Sequence, residues 1–323
     1  MGPNTVSSRN IGVMLIRGKV ANIFLRMEIF CDICGTMIQW MGIVNLTPDS
    51  FFEPSRAWGR LETALARIRQ LVADGASIID LGAVSTRPGA ADVSLEEEWR
   101  RLEPVLKAIS EGEVLTGGSE EPVLTGDSVG TLLSGPSVQP VRGAAVQISI
   151  DTTRSEIVRR AFELIGPFIV NDISAGEDDP RMLSVVSGLG LPFVAMHKRG
   201  SPQTMDTRCD YPDGVMPELL RYFADFEARA AAEGVSGWIL DPGLGFAKTN
   251  EQNWEILREL PQLKVFGRPI LIGAADKRFT RCAPDDVLSE VTGEVDKLSG
   301  TEIANFLAVK GGASILRVHQ IPK

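Results

Sequence analysis

Hydrophobic residues along the chain gather into short, nearly unbroken runs at 41–44, 77–81, 146–150, 168–170, 192–196, 238–240, 269–272 and 314–316. Continuity of this kind, rather than strict alternation with polar residues, is expected of parallel strands covered on both faces. Most of the intervals carry helical periodicity. Leu61, Ala64, Leu65, Ile68, Leu71 and Val72 mark one stripe at the 3.6-residue spacing, stopped by Gly75. Ser94-Leu95-Glu96-Glu97 is a capping box that opens a helix over 95–109. Further helices are predicted over 151–165, 180–188, 216–233, 253–260 and 298–311. Eight strand-like runs alternating with helices predict an α/β fold, a (β/α)8 TIM barrel rather than an open doubly wound sheet. Only 318–323 follow the last run, so the barrel is expected to lack its last helix and to leave apolar surface exposed there.

Two segments break the rhythm. Residues 1–38 read as an irregular leader in which Arg9, Arg17, Lys19 and Arg26 precede the first acidic residue, Glu28, with a faint likeness to an organelle transit segment. Cys31 and Cys34 form one CxxC, short of the ligands a zinc site needs and without the strand–helix setting of a redox pair. Half of residues 110–145 are Gly, Ser, Pro or Thr, and Val-Leu-Thr-Gly occurs twice in them. They are expected to form a disordered insert within the barrel domain, residues 39–323, with an active-site lid as the alternative.

Composition narrows the class. With 33 basic and 42 acidic residues the net charge is −9, which argues against nucleic acid or an acidic membrane as a partner. The N-terminal apolar stretch is interrupted by Arg17, Lys19 and Arg26, so no span of about 18 apolar residues arises. Four cysteines in 323 residues point to a reducing compartment, and a cytoplasmic location is expected.

In such barrels, chemistry is built where strands end. The polar residues that follow the runs are Asn45, Thr47 and Asp49; Ser85, Thr86 and Arg87; Asp151 and Thr152; Asn171 and Asp172; His197; Asp241 and Lys248; Lys277; Arg317 and His319. Both histidines of the chain are among them. Polar residues after a strand often only cap the next helix, which would suffice for Asp151 or Asp172 taken singly. Asn, Asp, Lys, Arg and His at all the strand ends together point to a site. Arg87, Lys277, Arg317 and His319 are cationic donors suited to phosphate or carboxylate. Asp151, Asn171 and Asp241 suit a heterocycle rich in N–H groups. Asn45 is a neutral oxygen ligand of the kind Mg²⁺ accepts beside a substrate phosphate. No Ser–His–Asp or Cys–His arrangement is visible, so an anionic phosphorylated substrate fits best.

The segments MGIVNLTPDSF (41–51), GAVSTRPGA (82–90), SIDTTRSEI (149–157), VNDIS (170–174), DPGLGFAKT (241–249) and LRVH (316–319) together resemble the dihydropteroate synthases, pterin-binding barrel enzymes of folate synthesis. Six ordered motifs, one at nearly every strand end, are far more specific than any one alone. The resemblance implies a transferase that condenses 6-hydroxymethyl-7,8-dihydropterin diphosphate with 4-aminobenzoate. It implies that Asp151, Asn171, Met196, Asp241, Lys277 and Arg317 hold the pterin, and that Asn45, Arg87, Arg317 and His319 hold diphosphate, with Mg²⁺ at Asn45. Thr86, Arg87, Pro88 and Ala275 would shape the aminobenzoate site. Asp151, Asp241, Lys277 and Arg87 would carry the catalysis, and the assembly would be a homodimer.

Several positions depart from the family pattern, and two of them bear on the second substrate. Phe51 to Arg56 replace a Gly-containing loop, and Pro54 would stiffen it. Val84 stands where Glu is common, and Gln320 where Asp follows the His. Ala275 replaces a Ser that contacts the aminobenzoate carboxylate in the family, and Asp276 reverses the charge of an Arg. Weakened aminobenzoate binding, and exclusion of the sulfonamides that mimic it, are therefore expected. A non-catalytic pterin-binding paralogue is the alternative reading, followed by a pterin-dependent methyltransferase domain.

Overall fold

The computed structural model describes residues 38–47, 61–85, 92–112, 146–201, 203–281, 283–284, 287 and 299–322. The leader, the Cys31 and Cys34 pair and the insert from residue 113 onward lie outside the described residues. The apolar runs form eight strands: β1 (Gln39–Asn45), β2 (Ile78–Gly82), β3 (Gln147–Asp151), β4 (Ile169–Asp172), β5 (Phe193–Met196), β6 (Trp238–Asp241), β7 (Leu271–Ile272) and β8 (Ile315–Val318). The helices are α1 (Leu61–Ala73), α2 (Leu95–Ser110), α3 (Ser155–Ile165), α4 (Met182–Leu189), α5 (Val215–Ala232), α6 (Asn250–Glu259) and α7 (Gly300–Gly311). No described helix is long and apolar enough to cross a membrane.

The strands pair in parallel in the order β6-β5-β4-β3-β2-β1-β8-β7. The two ends of that row meet through a parallel bridge, Leu240 to Ile270, with Leu240 N donating to Pro269 O at 2.9 Å. The result is the (β/α)8 barrel expected from the alternation.

Side chains alternate across each strand, and here the two faces are distinct. One residue from every strand but β3 forms a separate interior plug: Met41, Ile78, Ile169, Val194, Ile239, Leu271 and Ile315. Two residues further along the same face come Ile43, Asp80, Asn171, Met196, Asp241, Gly273 and Arg317, with Ser149 of β3 in register with Asp80. The next step reaches Asn45, Gly82 and Asp151. Apolar filling below and polar side chains at the C-terminal ends place the mouth at the face where such barrels do chemistry. Outward residues such as Val44, Ile79, Ile150, Val170, Phe193, Trp238 and Leu316 join the helices in one continuous outer core. Gly42 lets α1 approach, because a Cβ there would stand 2.9 Å from the Leu71 side chain.

Three expectations need correction. Among the described residues no helix follows β8, yet its outward Leu316 and Val318 are buried within the outer core, so the strip expected to be exposed is not. Helix α3 begins at Ser155 rather than at 151: β3 runs through Asp151, and Asp179 Oδ2 accepts from Ser155 N at 2.9 Å and Ser155 Oγ at 2.6 Å at the helix start. Helix α6 begins earlier than its apolar stripe because Thr249 and Gln252 form a reciprocal capping box.

Truncating the plug tests the layering. Ile239→Ala is expected to cost about 2–5 kcal/mol, as for other large-to-small interior changes, measured by urea unfolding. A cost near zero would show that the plug is not closely packed.

Candidate active site

Asp80 is the residue around which the mouth is organised, and it lies inside an apolar strand with no exposed surface. Arg317 Nε donates to its Oδ2 at 2.7 Å, and Arg317 Nη2 stands 2.6 Å from the same oxygen. Ser149 Oγ donates to Oδ1 at 2.7 Å, and Asn171 Nδ2 approaches both oxygens at 3.2 and 3.3 Å. Arg317 Nη2 also donates to Asp151 Oδ2 at 2.9 Å. Four strands therefore meet in one network: β2, β3, β4 and β8. Two carboxylates share one guanidinium, so compensation is incomplete. Burial raises the Asp151 carboxyl above the usual carboxylate range, with the Arg317 charge opposing it and the Asp80 charge adding to it.

Asp241 ends β6 on the same face. Its Oδ1 accepts from Gly243 N at 2.7 Å. Burial raises its carboxyl, and the charge of Lys277 and the Gly243 N–H restrain the rise. Lys277 comes from the loop after β7. Its ammonium donates to Leu244 O and lies 4.9 Å from the centre of the Phe246 ring. Loss of hydration brings it down to about 8, against the pull of Asp241. The inner mouth thus offers three carboxylates, one carboxamide, one guanidinium and one ammonium, a surface matched to a flat ring bearing both donors and acceptors.

Other residues named from the sequence lie around or outside this inner mouth. Asn45 and His319 are half-buried at the ends of β1 and β8, and the His319 carbonyl accepts from Arg67 of α1. Met196 is buried on the face of β5 shared with Val194. Ala275 is half-buried and Asp276 exposed, the latter at φ +54°. Gln320 is exposed. Asp49, Thr86, Arg87 and Pro88 lie outside the described residues.

Four strand-end residues do not join the mouth, among them Thr152, whose Oγ1 donates to Glu98 Oε1 at 2.6 Å. Asp172 is the neighbour of inward Asn171 and faces its own loop, accepting from Ser174 N and Oγ at 2.7 Å each and from Gly176 N at 2.9 Å. His197 and Lys248 are buried against each other behind the loop that follows β6. Convergence from all eight strand ends was too broad an expectation: parity along a strand sends every second residue outward. Asp80 and Ser149 were missed because they sit inside hydrophobic runs. The available signal was a charge within a strand read as covered on both faces.

The matches to known proteins agree with this geometry. The family described as pterin binding enzyme matches residues 41–116 and 135–319. The chain belongs to that family of pterin-binding barrels, and the break in the match falls within the low-complexity insert. More particularly, it belongs among the dihydropteroate synthases. It is 36% identical to the dihydropteroate synthase of a Synechocystis strain over 297 residues, covering 88% of each chain. It is 35% identical to that of Neisseria meningitidis serogroup C, covering 87% of each. Among solved structures, the Xanthomonas albilineans dihydropteroate synthase with 4-aminobenzoic acid is 31% identical with a TM-score of 0.63, covering 88% of both chains. The Clostridium difficile enzyme in the presence of pteroic acid is 31% identical with a TM-score of 0.65, covering 89% of this chain and 92% of that one.

The lowered Lys277 has a consequence for stability. An unfolded lysine titrates near 10.4, whereas burial brings this one down to about 8. Between those values the unfolded chain binds more protons, so the Lys277 contribution to stability rises with pH through that window. Urea unfolding from pH 7.5 to 10 should show a shallower rise for Lys277→Met than for the unaltered protein. Parallel curves would mean that Lys277 keeps an ordinary affinity for its proton.

Proposed function

We infer that the chain is a dihydropteroate synthase, joining 6-hydroxymethyl-7,8-dihydropterin diphosphate to 4-aminobenzoate and releasing 7,8-dihydropteroate and diphosphate. The observation that carries this reading is the Asp80–Arg317–Asp151 network with Asn171, flanked by Asp241 and Lys277. It is a charged and mostly acceptor-rich wall on a chain of this family. On this reading Asp151, Asn171, Met196, Asp241, Lys277 and Arg317 receive the pterin ring. Asn45, Arg87, Arg317 and His319 face the diphosphate, and Thr86, Arg87, Pro88 and Ala275 border the aminobenzoate.

The bond between the pterin methylene carbon and the diphosphate oxygen breaks, and its electron pair leaves with diphosphate. Cationic donors at the mouth stabilise charge where it develops. The conjugated ring spreads the cation left behind, which the Asp151 and Asp241 carboxylates favour. The arylamine nitrogen then forms the new C–N bond and sheds a proton to diphosphate or water. It is already a nucleophile, so the protein's part is to position it. Asp151, Asp241, Lys277 and Arg87 are the proposed catalytic residues.

Mg²⁺ fits the same mouth. A Cβ on Gly82 would lie 3.7 Å from Asn45 Oδ1, Asp151 Oδ2 and Asp151 Cβ, so the glycine leaves room beside two oxygens. Asn45 would supply one neutral ligand, with diphosphate and water supplying the others. The ion, when bound, neutralises charge on the leaving group. A cytoplasmic homodimer completes the proposal, drawn from the family resemblance and from the sparse cysteines.

Diphosphate release by the purified protein with Mg²⁺, the pterin diphosphate and saturating 4-aminobenzoate, with dihydropteroate identified as product, tests the reading. Turnover is expected. A folded protein that binds the pterin diphosphate without turnover would instead support the pterin-binding paralogue, which Ala275 and Asp276 favour.

Of these two residues, Ala275 predicts a weak second-substrate site. A hydroxyl donated to a charged group contributes about 1.5–3 kcal/mol. Ala275→Ser should therefore lower the KM for 4-aminobenzoate by about tenfold or more, with sulfonamide affinity rising in parallel. Tight sulfonamide binding by the unaltered protein would refute the expectation.

A further inference from the structure

Behind the mouth, on the far side of the loop after β6, lies a buried pair that the reaction above does not use. Lys248 is 8% exposed and His197 1%. The Lys248 ammonium donates to Gly243 O and to Phe246 O at 3.0 Å each, and its Nζ stands 3.0 Å from His197 Nδ1. An ammonium has three hydrogens to give, and three acceptors surround this one. With Lys248 as the ammonium, a neutral His197 accepts at Nδ1 and carries its proton on Nε2. Burial and the nearby Lys248 charge hold His197 well below the usual histidine range, which keeps it neutral. Burial also lowers Lys248 itself to about 7, with the Asp241 charge opposing the fall.

The two carbonyls held by Lys248 bracket the turn that shapes the mouth. Within it Gly243 N donates to Asp241 Oδ1, Leu244 O accepts from Lys277, and the Phe246 ring lies under the Lys277 ammonium. The turn is pressed against His197 from the other side. A Cβ on Gly243, which has φ +68°, would fall 2.1 Å from the His197 carbonyl oxygen, and His197 N donates to Asp241 O at 3.0 Å. Asn253 closes the same loop from α6, accepting from Gly245 N at 2.6 Å.

We propose that Lys248, clasped by His197, is a positioning residue for pterin binding: it holds the 243–246 turn so that the Asp241 carboxylate and the Lys277 ammonium are presented together. This rests on the proposed role of Asp241 and Lys277 toward the pterin. Lys248 touches no substrate, and its effect reaches the ligand through the turn. Without the ammonium, Gly243 O keeps only Phe246 N, at 3.1 Å, and Phe246 O loses a buried donor, which loosens the hold on the Gly243 N–H that meets Asp241. The turn's direct holds are on Asp241 and Lys277, both on the proposed pterin side, so the pterin should respond more than 4-aminobenzoate.

The experiment measures the dissociation constant for pterin diphosphate, and KM for each substrate, in the unaltered protein, Lys248→Met, His197→Asn and His197→Leu, with thermal unfolding as a control for folding. Lys248→Met is expected to weaken pterin diphosphate by about 10- to 100-fold while 4-aminobenzoate KM stays within about twofold, a split that a general loss of stability would not give. His197→Asn keeps an acceptor near the Nδ1 position and should bind pterin almost as the unaltered protein does. His197→Leu, which removes the acceptor, should follow Lys248→Met. If Lys248→Met does not fold, the two His197 variants decide, since both keep the ammonium. Equal pterin affinity in Lys248→Met, equal effects on both substrates, or no difference between His197→Asn and His197→Leu would overturn the inference alone. An unaltered protein that binds no pterin diphosphate would overturn the functional reading and this inference with it.

Discussion

A guanidinium and two carboxylates taken out of water at the top of a barrel can persist only if the strands bring them together in one register. Arg317 must reach from β8 across the interior to Asp80 on β2 and Asp151 on β3. The ladders that allow this pair Arg317 with Met41, Ile43 with Asp80, and Asp80 with Ser149. A slip of one residue in β8 would turn Arg317 into the outer core and leave Asp80 without its cation. Either consequence costs several kcal/mol, because an unpaired charge would be buried. Hydrophobic alternation alone tolerates more than one closure of eight short strands. The polar layer selects among them, so the group of side chains that reads the substrate also specifies how the barrel closes.

That economy leaves the mouth slightly undercompensated, and the imbalance has a direction. Asp80 is held by Arg317, Ser149 and Asn171, while Asp151 takes the second share of the guanidinium and has its carboxyl raised by burial. A ligand that brings N–H donors to Asp151 supplies what the protein itself does not. Asp241 is similar, with one backbone N–H and the charge of Lys277 in place of a direct ion pair. The strands fix the first carboxylate, and the turn after β6 fixes the second. Rigidity therefore has two sources, a network inside the barrel and a buried clasp outside it.

Much of this was legible from the chain. Helix α1 and all eight strands fall where the periodicity puts them, because parallel strands covered on both faces leave an apolar run that polar loops do not imitate. Helix starts were less legible. Asp179 at the start of α3 comes from a different loop, 24 residues on, and no local pattern encodes it. Thr249 and Gln252 encode the start of α6, ahead of its apolar stripe. In the site, strand-end position found Asp151, Asn171, Asp241, Lys277 and Arg317 without telling which way each residue faces. Asn171 and Asp172 are adjacent and only the first looks inward. Asp80 stayed hidden because its partner is 237 residues away and the strand around it is apolar.

The departures from the family pattern acquire different weights once placed. Asp276 lies exposed, in the left-handed region at φ +54°, a conformation that Asp and Asn adopt more readily than most residues with a side chain. Its carboxylate is in water, where repulsion of a nearby anion is screened. Its identity is explained by the backbone as much as by charge. Ala275 is half-buried, and a hydroxyl missing there is not replaced by solvent so easily. Of the two changes, the absent hydroxyl is therefore the one that acts on an aminobenzoate carboxylate. The proposed pterin wall is built on strands and cross-braced by charge, so a substitution there disturbs the closure of the barrel itself. Ala275, on the proposed aminobenzoate border, stands in the loop after β7, where a residue can change without that consequence. A change at Ala275 is what this division of supports permits.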